Sequence, residues 1–493
     1  MSNLYVACEL GAENGHVFLG ALQKEGLSIS SAGEFQELIS SAEDGTTQWD
    51  VPRIYQQVLT ALHGIVAHEE PVRGLSFFSA LTDSLLFEKD GSLVAPATRI
   101  PEAAGATELK KILAKIPIEE LYAETGVQPL ATSPLCHLAA ESSRRLKRAT
   151  HALSLADSFN FLFSGVANAE ISQAVQTELY NPVTKSWSER LLKAAGVPDK
   201  LMPPIIASGT TLGPVRDEIA HQHCLEDASV VATCSHHLAA ALAALSIADQ
   251  DPWAFLWPGQ STLLGTVIEA PFINDVSREM NYSNLVGYGE STGFYKPWIG
   301  LRLVEDCRRT WSEQDRALDT EVLMHLATSA PPFESFIDPA NERFSTAQDL
   351  PQAIQAFCRD TGQEVPRKPG PILRCILESL ALQYRKGLLE LEYITNCSFS
   401  RLYVLGGKSN HLLNHFLANA LQIPVVIVPP EISAFGNVVL QALALGHIPS
   451  VDEARSLLLH SLKLHTINPH ATAWTDAYDR FLGLTPIASQ PAS

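Results

Sequence analysis

Residues 230–245, which read VVATCSHHLAAALAAL, constrain the fold more than any other stretch of the chain. β-Branched residues, a polar break and an alanine-rich apolar run predict a buried strand that passes directly into a buried helix. Ser235 is a typical helix-capping residue, which predicts His236 and His237 in the first helical turn. The helix dipole there disfavours positive charge, so either histidine should stay neutral and able to accept a proton. Taken alone, such a pair more often packs or caps than catalyses.

Length, charge and cysteine spacing restrict the class of protein. The chain has 493 residues, 46% of them hydrophobic, which is enough for two substantial domains. The formal net charge of −19 argues against nucleic acid or an anionic membrane as a partner. No apolar run is long enough to span a bilayer and no secretion signal is recognisable, so we expect a cytoplasmic protein. The eight cysteines lack metal-binding spacing, which predicts reduced thiols.

Two turns contain glycine between apolar strands. The chain opens with a predicted β-hairpin whose turn includes Gly11 and Gly15. A second hairpin is predicted around Gly259, with Thr262 just after the turn. Backbone N–H groups in such turns can approach a phosphate closely, although most glycine hairpins are only turns.

Glycine also marks a strand-to-helix turn near the end of the chain. Residues 401–410, RLYVLGGKSN, predict a strand, a turn at Gly406 and Gly407, and a helix that starts near Asn410. Open α/β sheets bind nucleotides at turns of this kind. Asn437 lies at the start of a further apolar helix.

These features follow one another in an order that is typical of a known enzyme family. Short motifs accompany them: TGVQ at residues 125–128, LLG at residues 263–265 and GN at residues 436–437. Together they resemble the rhamnulokinase branch of the FGGY carbohydrate kinases over almost the whole chain. The resemblance implies an α/β fold of two actin-like, ribonuclease H-like domains, with ATP and sugar bound in the cleft between them.

The pattern changes near residue 228, where we place a domain boundary. The resemblance then implies an N-terminal, sugar-side domain at residues 1–228 and a C-terminal, nucleotide-side domain at residues 229–465. Residues 466–493 would form a partly flexible extension. The chemistry of the family is phosphoryl transfer to a sugar hydroxyl, so the implied ligands are a small-molecule sugar, ATP and Mg²⁺.

The resemblance also assigns individual positions. The implied sugar-binding residues are Asp83, Ala80 and Gln128, although a solitary aspartate such as Asp83 more often forms a turn. Glu9 is a weak candidate for the metal. The implied nucleotide-binding positions are Gly11, Gly15, Gly259, Thr262, Gly406, Gly407, Asn410 and Asn437.

The chain departs from the family mainly at positions that carry chemistry. His237 stands where the family has the aspartate that accepts the hydroxyl proton. A histidine can accept a proton, but it cannot supply the negative charge of an aspartate near a metal. Glu9 replaces a shorter acid, and Ala80 replaces a tryptophan of the sugar loop.

Two functions therefore remain open from the sequence. One is a sugar kinase with altered or impaired chemistry, in which His237 or His236 is the base and Asp83 holds the sugar. The other is a non-catalytic pseudo-kinase that binds a sugar or nucleotide for sensing, or acts as a subunit. The number of replaced polar positions favours impaired catalysis. The identity of the sugar stays open because the loop that would recognise it is altered.

Overall fold

The structure is a computed structural model of the chain. It describes residues 3–11, 13–24, 26–36, 38–41, 46–65, 70–259, 261–314, 319–406, 410–470 and 473–484. The chain divides into two compact units. Unit 1 comprises Met1–Gln250, Val267–Phe294 and Glu431–Leu462, and unit 2 comprises Asp251–Thr266, Tyr295–Pro430 and Lys463–Ser493. The domain boundary near residue 228 stays a prediction.

The described strands are β1 (Asn3–Leu10), β2 (Asn14–Gln23), β3 (Gly26–Gln36), β4 (Ile39–Ser41), β5 (Thr47–Trp49), β6 (Val72–Phe78), β7 (Ser84–Phe87), β8 (Ala97–Thr98), β9 (His151–Ser154), β10 (Ala169–Glu170), β11 (Tyr180–Asn181), β12 (Ser186–Trp187), β13 (Ile205–Ile206), β14 (Thr210–Pro214), β15 (Ser229–Ala232), β16 (Ala254–Trp257), β17 (Ser261–Ile268), β18 (Ser283–Val286), β19 (Thr292–Ile299), β20 (Leu402–Val404), β21 (Val425–Ile427) and β22 (His465–Ile467).

The described α-helices are α1 (Val51–Ile65), α2 (Glu102–Leu113), α3 (Ile118–Thr125), α4 (Pro134–Ala140), α5 (Ser143–Arg148), α6 (Leu155–Ser164), α7 (Ile171–Gln176), α8 (Glu189–Ala195), α9 (Asp217–His223), α10 (His237–Ala248), α11 (Asp275–Glu279), α12 (Arg302–Gln314), α13 (Thr320–Ser329), α14 (Arg343–Thr346), α15 (Leu350–Asp360), α16 (Pro369–Thr395), α17 (His411–Leu421), α18 (Ile432–Ala444), α19 (Val451–Ser461) and α20 (Trp474–Leu482).

The main sheet of unit 1 has six strands in the order β14-β15-β6-β1-β2-β3. β6 pairs in parallel with both β1 and β15, whereas β1, β2 and β3 are antiparallel neighbours. The predicted N-terminal hairpin is confirmed, with Leu10 opposite Gly15. β1 and β6 are almost entirely buried because helices α1, α6 and α18 pack against this sheet. The parallel strands β1, β6 and β15 bring their C-terminal ends to one edge of the sheet.

The large sheet of unit 2 contains β19, β17, β16, β20, β21 and β22 in spatial order. β16 and β17 form the predicted antiparallel hairpin around Gly259, and β20 lies parallel to β16 on its other side. β20 leads through a turn into α17, as the glycine pattern predicts. Parallel and antiparallel strands covered by helices therefore confirm the predicted α/β class.

Helices α10 and α18 of unit 1 pack so closely that no side chain fits between their backbones at Gly436. α10 is built of alanine, leucine and isoleucine with few polar residues, and nearly all of it is buried. Gly436 of α18 lies against it: a Cβ atom at this position would be 1.9 Å from the carbonyl oxygen of Ala240. A glycine is therefore required at position 436 for the two helices to approach this closely.

We expect Gly436→Ala to destabilise the protein, because its methyl group would force α10 and α18 apart. Overpacking of this kind costs about 1–3 kcal/mol. Gly64→Ala in α1 is the matched control, since a Cβ atom there would meet nothing within 4 Å. The control should be neutral or stabilising by about 0.5–1 kcal/mol. Thermal unfolding midpoints measure both, and equal midpoints would contradict the close helix contact.

Candidate functional site

The histidine turn connects β15 to α10 in unit 1. The predicted strand-to-helix unit is confirmed, but the prediction of Ser235 as the helix cap is wrong. The cap residue is His236, and no side chain caps this helix. The reason is a backbone ladder: the Ser79 N–H donates to the Ser235 carbonyl at 2.9 Å, and the His237 N–H donates to the Ser79 carbonyl at 3.0 Å. This pairing keeps the chain extended through His236, so the helix begins only at His237.

Glu9 and His237 form the central pair of the site. Glu9 lies near the end of β1, and its Oε1 is 2.9 Å from Nδ1 of His237. Both side chains are largely buried, with exposed fractions of 19% for Glu9 and 17% for His237. The ring of Phe78 meets the imidazole edge-on, with a centroid distance of 5.6 Å. The pair is thus fixed by contacts from β1, β6 and α10.

The charge state of Glu9 follows from its neighbours. Burial acts to raise the pKa of its carboxyl, but the charge of His237, a hydrogen bond from His237 and the charge of His16 act in the opposite direction. The net result is a pKa below the ordinary value. Glu9 is therefore ionised at neutral pH, and the proton of the imidazole lies on Nδ1, facing it.

His236 lies in a different environment from its neighbour. Burial, and then the charge of His237, lower the pKa of His236 to about 3. Its Nδ1 is buried and has no hydrogen-bond partner among the described residues. The ring is therefore neutral at physiological pH.

A cavity of about 300 Å³ in unit 1 opens beside His236. Asp83 and Arg99 form an ion pair at its wall, with Oδ1 and Nε 3.3 Å apart. The lining residues are Ala80, Leu81, Thr82, Asp83, Arg99, Ile100, Val127, Leu130, Thr132, Ser133, Gln176, Glu178 and His236. The structure thus brings Ala80, Asp83 and His236 to one cavity, although they are far apart in the sequence.

Gln128 lies next to this cavity in the chain, but its side chain is engaged elsewhere. Its Nε2 donates to the backbone carbonyls of Arg278, at 2.8 Å, and Tyr282, at 3.3 Å. These bonds join the turn after α3 to the segment before β18. The Gln128 side chain therefore has a structural role in holding these two segments together. Its role in sugar binding stays a prediction.

Three residues that sequence reasoning missed hold the histidine turn in place. Glu170 accepts from the Ser235 N–H at 2.9 Å, and the hydroxyl of Ser172 accepts from the His236 N–H at 2.9 Å. The Gln173 amide donates to the carbonyl of Ser235 at 3.0 Å. The sequence offered one signal, a run of polar residues around the start of α7, but their partners are more than 60 residues away.

The predicted nucleotide positions of unit 1 have roles in packing. The Gly11 N–H closes the hairpin by donating to the Asn14 carbonyl at 3.0 Å. A Cβ atom at Gly15 would lie 2.2 Å from the ring of Phe35. Asn437 is fully buried, and its Oδ1 accepts hydrogen bonds from Ser76 and Gln441. Their contact with a nucleotide stays a prediction.

The hairpin positions of unit 2 differ in accessibility. The Gly259 carbonyl accepts from the Leu301 N–H at 2.9 Å. Thr262 is fully buried beside Tyr384, so in this structure its hydroxyl is not accessible to a phosphate. Ser261 is exposed at the start of the same strand, as expected from the alternation of side chains along a strand. Thr262 could contact a phosphate only if the buried face of β17 became exposed.

The strand-to-helix turn of unit 2 has the geometry that its glycine predicts. Gly406 has φ +67°, a left-handed conformation that suits glycine. Asn410 caps α17, because its Oδ1 accepts from the Leu413 N–H at 3.0 Å. Gly407 lies outside the described residues. The nucleotide contacts of Gly406 and Asn410 stay predictions.

Comparison with known families accounts for both halves of the chain. The model of the N-terminal domain of the FGGY family of carbohydrate kinases matches residues 4–244, and the model of the C-terminal domain matches residues 259–445. The chain belongs to the FGGY family. Among curated relatives, the rhamnulokinase of Bacteroides thetaiotaomicron is 32% identical over 490 residues, which cover 98% of this chain and 99% of that protein. The rhamnulokinase of Pectobacterium carotovorum is 29% identical, covering 99% and 97%. The predicted rhamnulokinase branch of the FGGY family is confirmed.

Solved structures of other kinases share the fold. Glycerol kinase of Plasmodium falciparum, solved with ADP, matches with a TM-score of 0.80 at 13% identity and covers 99% of each chain. Xylulose kinase of Rhodospirillum rubrum matches with a TM-score of 0.79 at 16% identity and covers 97% of each chain. The predicted sugar-kinase fold is therefore confirmed, while identities this low carry no information on the substrate.

Glu9 was the weak candidate for a metal ligand. Its Oε1 is engaged by the imidazole of His237, which suits a hydrogen-bonded pair better than a metal site. Within the described ranges, no group of three or more His, Cys, Asp or Glu side chains is arranged to hold a metal ion.

None of the helices in the described part of the chain is long and apolar enough to cross a membrane.

We expect His236→Gln to make the protein less sensitive to acid. The unfolded chain binds a proton at this histidine below its ordinary pKa of 6.5, whereas the folded protein does so only near pH 3. Stability is therefore fully present above pH 6.5 and falls as the pH drops towards 3. The substitution should reduce the pH dependence of the free energy of unfolding in this range by up to about 1.4 kcal/mol per pH unit.

Denaturant unfolding between pH 7 and pH 4 measures this effect. His470→Gln, at an exposed position, is the control and should leave the fall nearly unchanged. Equal slopes for the wild type and His236→Gln would show that His236 is not protected from protonation by the fold.

Proposed function

We propose that this protein is an ATP-dependent kinase of the rhamnulokinase type, which phosphorylates a hydroxyl group of a ketose or related sugar. His237 is the general base of the reaction, in the position where the family has an aspartate. The observation that carries this assignment is the 2.9 Å contact between Nδ1 of His237 and Oε1 of Glu9.

The Glu9–His237 pair gives the imidazole a defined proton arrangement. With Nδ1–H donating to the ionised Glu9, Nε2 holds the lone pair that can accept a proton. As the sugar oxygen attacks the γ-phosphorus of ATP, its proton moves to Nε2. A bond forms between that oxygen and phosphorus, the bond to the β–γ bridging oxygen breaks, and ADP leaves. The imidazolium so formed is stabilised by the charge of Glu9.

The two departures from the family are thus connected physically. A histidine in place of an aspartate lacks a negative charge, and a glutamate in place of a shorter acid lies close enough to supply one to the ring. The negative charge now lies on Glu9, behind the His237 ring, so it is one side chain further from the reacting oxygen than the charge of the family's aspartate would be. We therefore expect altered, and slower, catalysis.

The cavity of unit 1 is the proposed sugar site. Asp83 and His236 offer hydrogen-bonding groups there, and Ala80 leaves space where the family has a tryptophan. Mg²⁺ carried by the phosphates of ATP would neutralise part of their charge. We assign the nucleotide to the backbone of the turns at Gly259 and Gly406.

A second candidate function is a non-catalytic protein that binds a sugar or nucleotide. Two of the predicted nucleotide positions, Thr262 and Asn437, are fully buried and have packing roles. Loss of side-chain contacts to the nucleotide would leave binding in the sugar cavity intact while slowing or abolishing phosphoryl transfer.

We expect the wild type to release ADP in the presence of a ketose, in a coupled assay with a panel of sugars. His237→Ala should lower kcat by roughly 10² to 10⁴, the usual contribution of a general base. Glu9→Gln should lower kcat by a smaller factor, because it keeps a hydrogen-bond acceptor but removes the charge. His470→Ala, an exposed histidine, is the control and should keep wild-type activity.

The His237→Asp variant separates the two candidate functions. A wild type without sugar-dependent turnover, combined with activity gained by His237→Asp, would establish the non-catalytic alternative. Unchanged kcat in His237→Ala would remove histidine from the role of base. Thermal-shift titration with Mg-ATP and with sugars adds an independent test, because a protein that binds neither would have a purely structural or subunit role.

A further inference from the structure

His237 has the proton arrangement of a nucleophile as well as that of a base. Its Nδ1 is 2.9 Å from Oε1 of Glu9, and because Glu9 is ionised at neutral pH, the ring proton lies on Nδ1. The lone pair of the imidazole is then on Nε2, on the opposite side of the ring. Histidine can use such a lone pair to form a covalent intermediate in group transfer.

The imidazole of His237 is held in one orientation. The fully buried Phe78 meets the ring edge-on, with a centroid distance of 5.6 Å, and the His237 N–H donates to the Ser79 carbonyl at 3.0 Å. The side chain nevertheless keeps 17% of its surface exposed, so it is not closed off from a ligand. A nucleophile that is already oriented loses less entropy when it attacks.

The charges around His237 favour attack on a phosphate group. A neutral imidazole is not repelled by the anionic oxygens of ATP, whereas a carboxylate in the same place would be. The new bond gives the ring a positive charge, and the carboxylate of Glu9 stabilises that charge at hydrogen-bond distance. His237 is also the first residue of α10, where the positive end of the helix dipole favours the added phosphoryl group.

We propose that His237 is a phosphorylation site: in the absence of a sugar, its Nε2 takes the γ-phosphoryl group of ATP and forms a phosphohistidine. The inference rests on the proposed function only in taking ATP as the ligand that reaches His237. The Nε2 lone pair forms a bond to the γ-phosphorus, the bond from phosphorus to the β–γ bridging oxygen breaks, and ADP leaves with that electron pair. The Nδ1 proton stays between the ring and Glu9, so the step needs no other base or co-reactant.

The two roles of Nε2 exclude each other. When a sugar is bound, its hydroxyl oxygen lies between Nε2 and the γ-phosphorus, because that oxygen must contact both. Nε2 then accepts a proton and the phosphoryl group passes to the sugar. The phosphorylated ring has no lone pair on Nε2, so this form cannot act as the base until ADP takes the group back. Phosphorylation of His237 therefore switches off the sugar-free protein while ATP is abundant.

Incubation of the full-length protein with Mg-ATP labelled in its γ-phosphate, without sugar, tests the inference. The wild type should acquire label that is stable to alkali and labile to acid, as expected of a phosphohistidine. Peptide mass spectrometry should place the phosphoryl group on His237. Added ADP should remove the label, and a sugar that supports turnover should suppress it.

Variants of the pair test the roles of both side chains. His237→Ala should lose the label, and His470→Ala, at an exposed position, should keep it. Glu9→Gln should be labelled at least about tenfold more slowly, because its amide has no charge to stabilise the ring. Glu9→Asp keeps the charge and should be labelled faster than Glu9→Gln. A merely structural role of Glu9 would give the reverse order, because glutamine matches its size and shape better than aspartate does.

An unlabelled wild type, or label on a residue other than His237, would overturn the inference. The position of the label in the wild type decides even where a variant fails to fold. The same experiment separates this inference from the kinase proposal. Label on His237 without any sugar-dependent ADP release would contradict only the kinase proposal. Sugar-dependent ADP release that requires His237, with no label in the absence of sugar, would contradict only the phosphohistidine.

Discussion

The site depends on one backbone interaction, the pairing of Ser79 with the segment from Ser235 to His237. This pairing extends the parallel sheet by one bridge beyond β15 and delays the start of α10. It directs His237 towards Glu9 and brings His236 to the cavity wall. Glu170 and Gln173 bond to the same short segment, so a small shift of the helix start would disturb His237, His236 and the buried carboxyl of Glu170 together.

Much of this arrangement was predictable from the sequence, since local patterns determine it. Apolar runs and glycine turns gave both hairpins, the strand that leads into α10 and the turn at Gly406. The cap at Ser235 was predicted wrongly because side-chain preference competes there with a ladder to Ser79, more than 150 residues earlier in the chain. Glu170 could not be found in this way, because nothing local distinguishes a buried acid from an exposed one.

The positions that the family resemblance singles out have different surroundings in the structure. The changes at Glu9 and His237 lie more than 200 residues apart in the sequence, and they become intelligible only as a contacting pair. Thr262 and Asn437, two of the implied nucleotide-binding positions, are instead fully buried. The chemistry proposed here therefore concentrates on unit 1, where charge, neutral imidazole and cavity meet, and relies on the backbone turns of unit 2.

The contact between Gly436 and Ala240 also bears on how the protein is made. α10 leaves the ribosome almost 200 residues before α18, yet much of its apolar surface packs against α18 and α19 in the folded protein. Until those two helices are made, the nascent chain exposes a nearly all-apolar helix. Unit 1 can consequently be completed only late in synthesis, because its segment Glu431–Leu462 is made after most of unit 2, and apolar surface exposed in that interval favours aggregation.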